Sequence, residues 1–409
     1  MLEEILLNPE FWKHVSIPFV AAVVGWATNW VAIRMTFQPL EWKGIRPFLG
    51  WQGIIPSKAV KMASIFVDST MYRLGTLREL FEQMDPERMA EHVAQVMDQR
   101  VELYTDEIMF LSHGRLWRSL PGFLKTRIYA RVREEVPELV ESLMQEIGEN
   151  IEELVDFKHM IVRQLSENKA LLNRLFLESG AEEFRFIVRS GLYFGFLFGL
   201  GQLGVWIFYK AWWVLPIFGL LVGWATNWIA LNLIFRPLYP KRLGPWTLQG
   251  LFLRRQREVA RIWCRMVTRE MITVRQIFQE MLTGPRAERT ESLIREHIQP
   301  VADEALGLIS GPVAALAVGP EGIDEIKRTA ADKAVEVSLE PFNHWPFNAE
   351  RGEVIEQMLR ERMEALPPEE FQDLLRPCFQ EDELKLIILG GVLGFAAGLA
   401  QLFFVFGGI

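Results

Sequence analysis

Gly25-Trp26-Ala27-Thr28-Asn29-Trp30 occurs a second time, unchanged, as Gly223-Trp224-Ala225-Thr226-Asn227-Trp228. The copies continue in parallel, through Ala32, Phe37, Pro39 and Leu40 in one and Ala230, Phe235, Pro237 and Leu238 in the other. Each lies in an apolar stretch near the roughly 20 residues that a helix needs to cross a bilayer. Four such spans are predicted, at about 17–37, 187–209, 215–235 and 386–406. The second and fourth have no Asp, Glu, Lys or Arg in their cores. They also match each other, since Gly195-Phe196, Gly199-Leu200 and Gln202-Leu203 align with Gly394-Phe395, Gly398-Leu399 and Gln401-Leu402.

The repeat unit is therefore longer than its opening phrase. It holds a Thr-Asn span, a long charged region and a glycine-rich span. Thr76-Leu77-Arg78-Glu79 aligns with Thr273-Val274-Arg275-Gln276, and Gln52-Gly53 with Gln249-Gly250. The expected architecture is an all-α integral membrane protein built as a parallel tandem repeat. Residues 1–211 form the first repeat, with a helical soluble region at 57–183. Residues 212–409 form the second, with a soluble region at 252–383. An even number of spans in each repeat inserts both halves in the same orientation.

Charge places the regions. Arg34, Lys43, Arg46, Lys58 and Lys61 follow the first span, and Arg236, Lys241, Arg242, Arg254, Arg255 and Arg257 follow the third. Lys13 and Lys210 lie on the other side. Positive residues mark cytoplasmic ends. The expectation is a multi-pass protein of a bacterial inner (cytoplasmic) membrane, with cytoplasmic soluble regions and both termini outward. Trp12, Trp206, Tyr209, Trp212 and Trp213 are expected at the outer interface, and Trp42, Trp51 and Trp246 at the inner one. The acidic start, Met1-Leu2-Glu3-Glu4, does not read as a cleavable signal.

The soluble regions read as helices. Val136, Leu139, Val140, Leu143 and Ile147 recur at helical spacing. Asp85-Pro86 is a helix start, and Thr76 with Glu79 resembles a capping box. No run alternates as a strand would. These amphipathic helices would pack into a bundle or offer faces to a protein partner.

Chemistry is sparse. His14, His92, His113, His159, His297 and His344 are scattered, with none at metal-ligand spacing. Cys264 and Cys378 are too few for a disulfide framework. No phosphate-cradling loop and no nucleophile elbow occurs. No catalytic residue, metal or cofactor is assigned, and the net charge of −8 argues against a nucleic-acid partner.

The candidate sites are three sets. Thr28, Asn29, Arg34, Gln202, Thr226, Asn227, Asn232 and Gln401 are polar residues in or at the ends of spans. They would cross-brace helices or line a passage for a small solute or ion. The Thr-Asn spans themselves would be full crossings, or broken or re-entrant helices. Gly25, Gly195, Gly199, Gly223, Gly394 and Gly398 sit at small-residue spacing for close helix packing, within one bundle or a homo-oligomer. Gly53, Pro56 and Lys58, with Gly250 and Arg255 in the second copy, form a candidate interfacial turn.

At Gly25–Pro39 and at Gly53-Ile54-Ile55-Pro56-Ser57-Lys58 the chain resembles a bacterial membrane-protein family known as domain of unknown function 445. Gly390 to Gln401 fits the glycine-rich closing span of that pattern. The resemblance covers nearly the whole chain, twice over. The second turn, Gly250-Leu251-Phe252-Leu253-Arg254-Arg255, lacks the proline, which raises the expectation of two inequivalent halves. The resemblance implies topology and no reaction. The leading functional expectation is a non-enzymatic, membrane-anchored scaffold or envelope-organisation protein. The alternative is a transporter, channel or lipid-handling protein using the Thr-Asn spans.

Overall fold

A computed structural model describes residues 9–45, 49–307 and 312–407. The chain is almost entirely helical. The helices used below are α1 (Pro9–Phe37), α2 (Pro86–Asp98), α3 (Val101–Ser119), α4 (Gly122–Leu154), α5 (Ala181–Phe208), α6 (Val214–Phe235), α7 (Val274–Thr283), α8 (Ala287–Gly307), α9 (Pro312–Val337) and α10 (Pro368–Phe404). Two small antiparallel hairpins interrupt them, β1 (Lys43–Ile45) with β2 (Leu49–Trp51) and β3 (Lys241–Leu243) with β4 (Trp246–Leu248). They lie outside the soluble regions read as helical and leave the all-α character of the chain unchanged. Strands of three residues are too short for an alternating pattern to be read.

Four helices are long and apolar enough to cross a membrane, at Phe11–Phe37, Ala181–Phe208, Val214–Phe235 and Glu383–Phe404. The protein is thus a membrane protein. Both Thr-Asn helices are continuous through the motif rather than broken. The shorter, α6, has 22 residues. At 1.5 Å per residue it is about 33 Å long, enough for the hydrocarbon core.

The chain forms two compact units, each drawn from several segments. The first comprises Met1–Leu74, Val162–Trp263 and Arg360–Ile409. The second comprises Gly75–Ile161 and Cys264–Leu359. Neither coincides with a sequence repeat; each collects segments from both halves.

In the first unit, α1 packs along α5 and α6 packs along α10, and the two pairs join in one bundle. Large apolar side chains face outward, including Phe19, Val23, Leu197, Leu221, Ile388 and Val392, while small and polar groups face inward. That inversion of the soluble pattern is what lipid demands, because tails solvate apolar side chains but offer no hydrogen bonds. Trp206, expected at an interface, is 1% exposed and stacks obliquely on Phe406 with ring centroids 4.9 Å apart. It closes a cluster with Ile17, Val214, Leu215 and Leu402 at the α5–α6 connection.

The second unit is a bundle of amphipathic helices. On α4, Val136, Val140, Met144, Ile147, Ile151 and Leu154 are buried, and Glu138, Glu141, Glu149, Glu152 and Glu153 are exposed. Three of its helix starts are capped as the residues suggest, while Arg100 and Pro121 ahead of α3 and α4 make no side-chain cap. Asp85 accepts from the Arg88 N–H at the head of α2. Thr76 and Glu79 form a full capping box ahead of Leu77–Gln83, and Thr273 with Gln276 forms its counterpart at α7. Such caps satisfy amide groups that the first helical turn leaves without partners.

Candidate functional site

The Gly-Trp-Ala-Thr-Asn-Trp phrase divides its residues by helical face. Residues 25, 28, 29 and 32 share one side, at spacings of three and four. Thr28, Asn29 and Ala32 are accordingly buried. Trp26 and Trp30 occupy the other face, 42% and 43% exposed, with nearly parallel rings 6.5 Å apart. Trp224 and Trp228 repeat this at 6.2 Å.

The asparagines reach across to the partner helix. Asn29 Nδ2 donates to the Ile187 carbonyl of α5 at 2.7 Å. Asn227 Nδ2 donates to the Leu386 carbonyl of α10 at 2.9 Å. Each acceptor is followed four residues later by a glycine, Gly191 or Gly390. A Cβ on Gly191 would meet Asn29 Nδ2 at 2.8 Å, and one on Gly390 would collide with Asn227. The glycine clears the path by which the amide reaches the carbonyl one turn back. Gly25 lies against the Gly191 carbonyl, and Gly223 against that of Gly390, too closely in each case for any side chain. Gly195, Gly199, Gly394 and Gly398 make the same backbone approaches further along. Backbones brought this near gain dispersion contacts, a main source of helix association in lipid.

The remaining polar residues separate from this brace. Thr28 and Thr226 donate within their own helices, to Gly25 and Gly223. Gln202 and Gln401 are buried but stand 15 residues beyond the brace acceptors, about 22 Å along the helix. Gln401 Nε2 has no hydrogen-bond partner among the described residues. Asn232 bonds back to the Trp228 carbonyl at 2.8 Å and does not join Asn227. Arg34 is exposed, its guanidinium 5.2 Å from the Trp30 ring centre.

The candidate turn seats beneath each Thr-Asn helix. Gly53 N–H donates to the Pro39 carbonyl and Gly250 N–H to that of Pro237, both at 2.9 Å. A Cβ on Gly53 would meet the Phe37 carbonyl carbon at 2.7 Å, and one on Gly250 the Phe235 carbonyl carbon at 2.8 Å. A short helix follows in both, Ile54–Ser57 with buried Pro56 and Leu251–Arg254 without a proline. The turn thus survives loss of the proline. Lys58 C-caps the first short helix, and Arg255 C-caps the second.

Three residues that the sequence reading passed over complete this end of the bundle. Asn173 donates to the Phe37 carbonyl. Gln372, with its amide oriented to suit its neighbours, donates to the Phe235 carbonyl at 2.9 Å. Both satisfy helix-end carbonyls that have no partner within the helix. Glu183, 3% exposed, takes Arg255 Nη1 on its two oxygens at 2.9 and 2.8 Å. An acidic pair ahead of an apolar span, Glu182-Glu183, was the available signal.

The second unit contains a different kind of site, a deep apolar pocket of about 230 Å³. Walls from α2, α3, α4, α7, α8 and α9 line it with aliphatic and aromatic side chains. A few polar groups interrupt the lining. Tyr104 donates to Glu340 at 2.6 Å, and burial with that bond raises its phenol above the ordinary range. Lys333 pairs with Glu107 at 2.7 Å and Glu336 at 3.2 Å. Thr290, 1% exposed, has a hydroxyl with no partner among the described residues.

No known family model matches the chain, and no curated protein matches it. The resemblance to domain of unknown function 445 therefore rests on the residues quoted for it. Among the described residues no group of three His, Cys, Asp or Glu side chains is placed to hold a metal ion.

Proposed function

We propose that this protein is a non-enzymatic, membrane-anchored scaffold whose spans serve as an anchor and whose soluble helices present surfaces to a protein partner. The observation that carries this reading is where the polar groups of the Thr-Asn spans go. The Nδ2 groups of Asn29 and Asn227 donate to carbonyls of neighbouring helices, and Thr28 and Thr226 donate within their own; the buried Asn29 Oδ1 has no partner among the described residues. Donors so engaged brace a bundle, and the acceptor left over among them, Asn29 Oδ1, is enclosed between helices and not open to a passage. A surface for a partner is available in the second unit, where Phe110, Leu111 and Phe123 are 48%, 73% and 70% exposed. Large apolar side chains left in water are a mark of an interaction face when they lie together.

The scaffold sits, in this reading, in a bacterial inner membrane with its soluble helices cytoplasmic, as the positive residues after each Thr-Asn span favour. It arose as a tandem repeat of the domain of unknown function 445 type. The paired braces, Asn29 to Ile187 and Asn227 to Leu386, support the duplication. The lipid-handling branch of the alternative draws its support from the apolar pocket and not from the Thr-Asn spans.

The test is crosslinking in intact membranes followed by capture of the full chain. A partner held through the proposed face is lost when Phe110, Leu111 and Phe123 are all changed to Asp. Capture unaffected by that triple variant, with the variant folded, defeats the scaffold reading. Cysteines introduced at Leu111 and Lys210 would report sidedness by impermeant labelling; Cys264 is buried and cannot.

A further inference from the structure

We infer that the apolar pocket of the second unit binds one linear acyl chain, with an oxygen of its carboxyl or ester group on the Thr290 hydroxyl. This goes beyond the scaffold reading and does not depend on it. Shape is the first reason. The lining on α4 runs from Ile128 to Ile147, 19 residues apart, or about 28 Å. A space of 230 Å³ spread along that length is a slot. A docked helix, about 10 Å across, would need a markedly wider space along that length. A bilayer acyl chain is about half of the ~30 Å hydrocarbon core in length and slender, so the slot accepts one whole.

Chemistry is the second reason. Tyr104, Lys333 and Ser338 all line the slot and already have partners within the protein. Thr290 lines it too, almost fully buried, with its hydroxyl unspent among the described residues. A buried hydroxyl without a partner is costly, and a ligand oxygen would relieve it. Position along the slot agrees. Arg289 on α8 pairs with Glu153 of α4 at 3.2 Å, so Thr290 lies at the Ile147 end. The acyl oxygen would sit at that end and the chain would run toward Met109, Ile128 and Ile326. Availability is the third reason. A protein with four membrane-spanning helices lives beside an unlimited supply of acyl chains.

The experiment uses the full chain in nanodiscs, with two probes carrying a diazirine near the chain end. One is a sixteen-carbon fatty acid, and the other is a phosphatidylcholine bearing the same acyl group. After irradiation, adducts are mapped by mass spectrometry. The expected result is adducts on peptides of α4 and α8 with at least one probe, and the probe that labels identifies the source. Ala302→Trp, which fills the slot, should cut those adducts at least fivefold while adducts on the four spans stay unchanged. Thr290→Val, which keeps shape and loses the hydroxyl, should lower labelling about threefold at sub-saturating probe with a melting temperature that is unchanged or raised. If Ala302→Trp does not fold, Ala330→Phe fills the same slot from α9. Adducts on the spans alone, with both probes, would overturn the inference. So would full labelling of α4 and α8 in a folded slot-filling variant.

Discussion

The interiors of the two units are built on opposite rules. The spans of the first unit meet through glycine backbones and asparagine amides, with bulky side chains turned out. The second unit packs large aliphatic side chains inward and leaves a slot of about 230 Å³ among them. The contrast follows from the solvent. In lipid, burying a leucine gains nothing over leaving it outside, so association depends on close approach and hydrogen bonds. In water, apolar burial drives folding, and space left among the buried side chains costs stability unless something fills it. A dense interior suits an anchor, and a roomy one suits a ligand.

The sharpest way to break this contrast is to add bulk to each interior. Gly191→Leu or Gly390→Leu should destabilise the span bundle by about 3 kcal/mol or more, since a carbonyl cannot move aside as a side chain can. Unfolding in mixed detergent micelles measures it, and a near-neutral result would show that the spans are loosely packed. Removing an amide should cost less. Asn29→Ala and Asn227→Ala should each lose about 1 kcal/mol, the usual size of an interhelical hydrogen bond in a membrane. Equal losses would mark the two braces as equivalent despite the missing proline after the second. Similar flux of small ions through liposomes before and after would agree with an anchor.

Bulk added to the second unit should act in the opposite direction. Ala302→Leu should stabilise it by about 1 kcal/mol, read as a higher melting temperature of the soluble helices, because it fills space without striking backbone. The smallest effect is expected at Asn232→Ala. Its bond runs along its own helix, so the change should stay within about 0.5 kcal/mol. A larger loss would mean that Asn232 shares the brace with Asn227 after all.

Much of the candidate site was legible because its determinants are local. Helical spacing alone puts Gly25, Thr28 and Asn29 on one face and Trp26 and Trp30 on the other. The caps at Thr76, Asp85 and Thr273 depend on residues three apart and could be read directly. The partners of the asparagines could not, since Ile187 and Leu386 act through carbonyls that every residue possesses. Asn173, Gln372 and Glu183 were missed for a related reason: each meets a group more than 70 residues away in the chain. The short hairpins escaped because three residues hold no readable alternation.

Composition and periodicity by themselves determined that this is a helical membrane protein, which four segments are long and apolar enough to cross a bilayer, and that one phrase recurs in matching segments. Those properties are set by the solubility of single segments and by geometry within one helix. Only the tertiary structure decided that the asparagine Nδ2 groups are engaged in braces, that the halves contribute segments to both compact units, and that an apolar slot with an unspent threonine lies in the second. Those depend on which distant surfaces meet, and the energy of such a meeting is written in pairs of residues and not in either one alone.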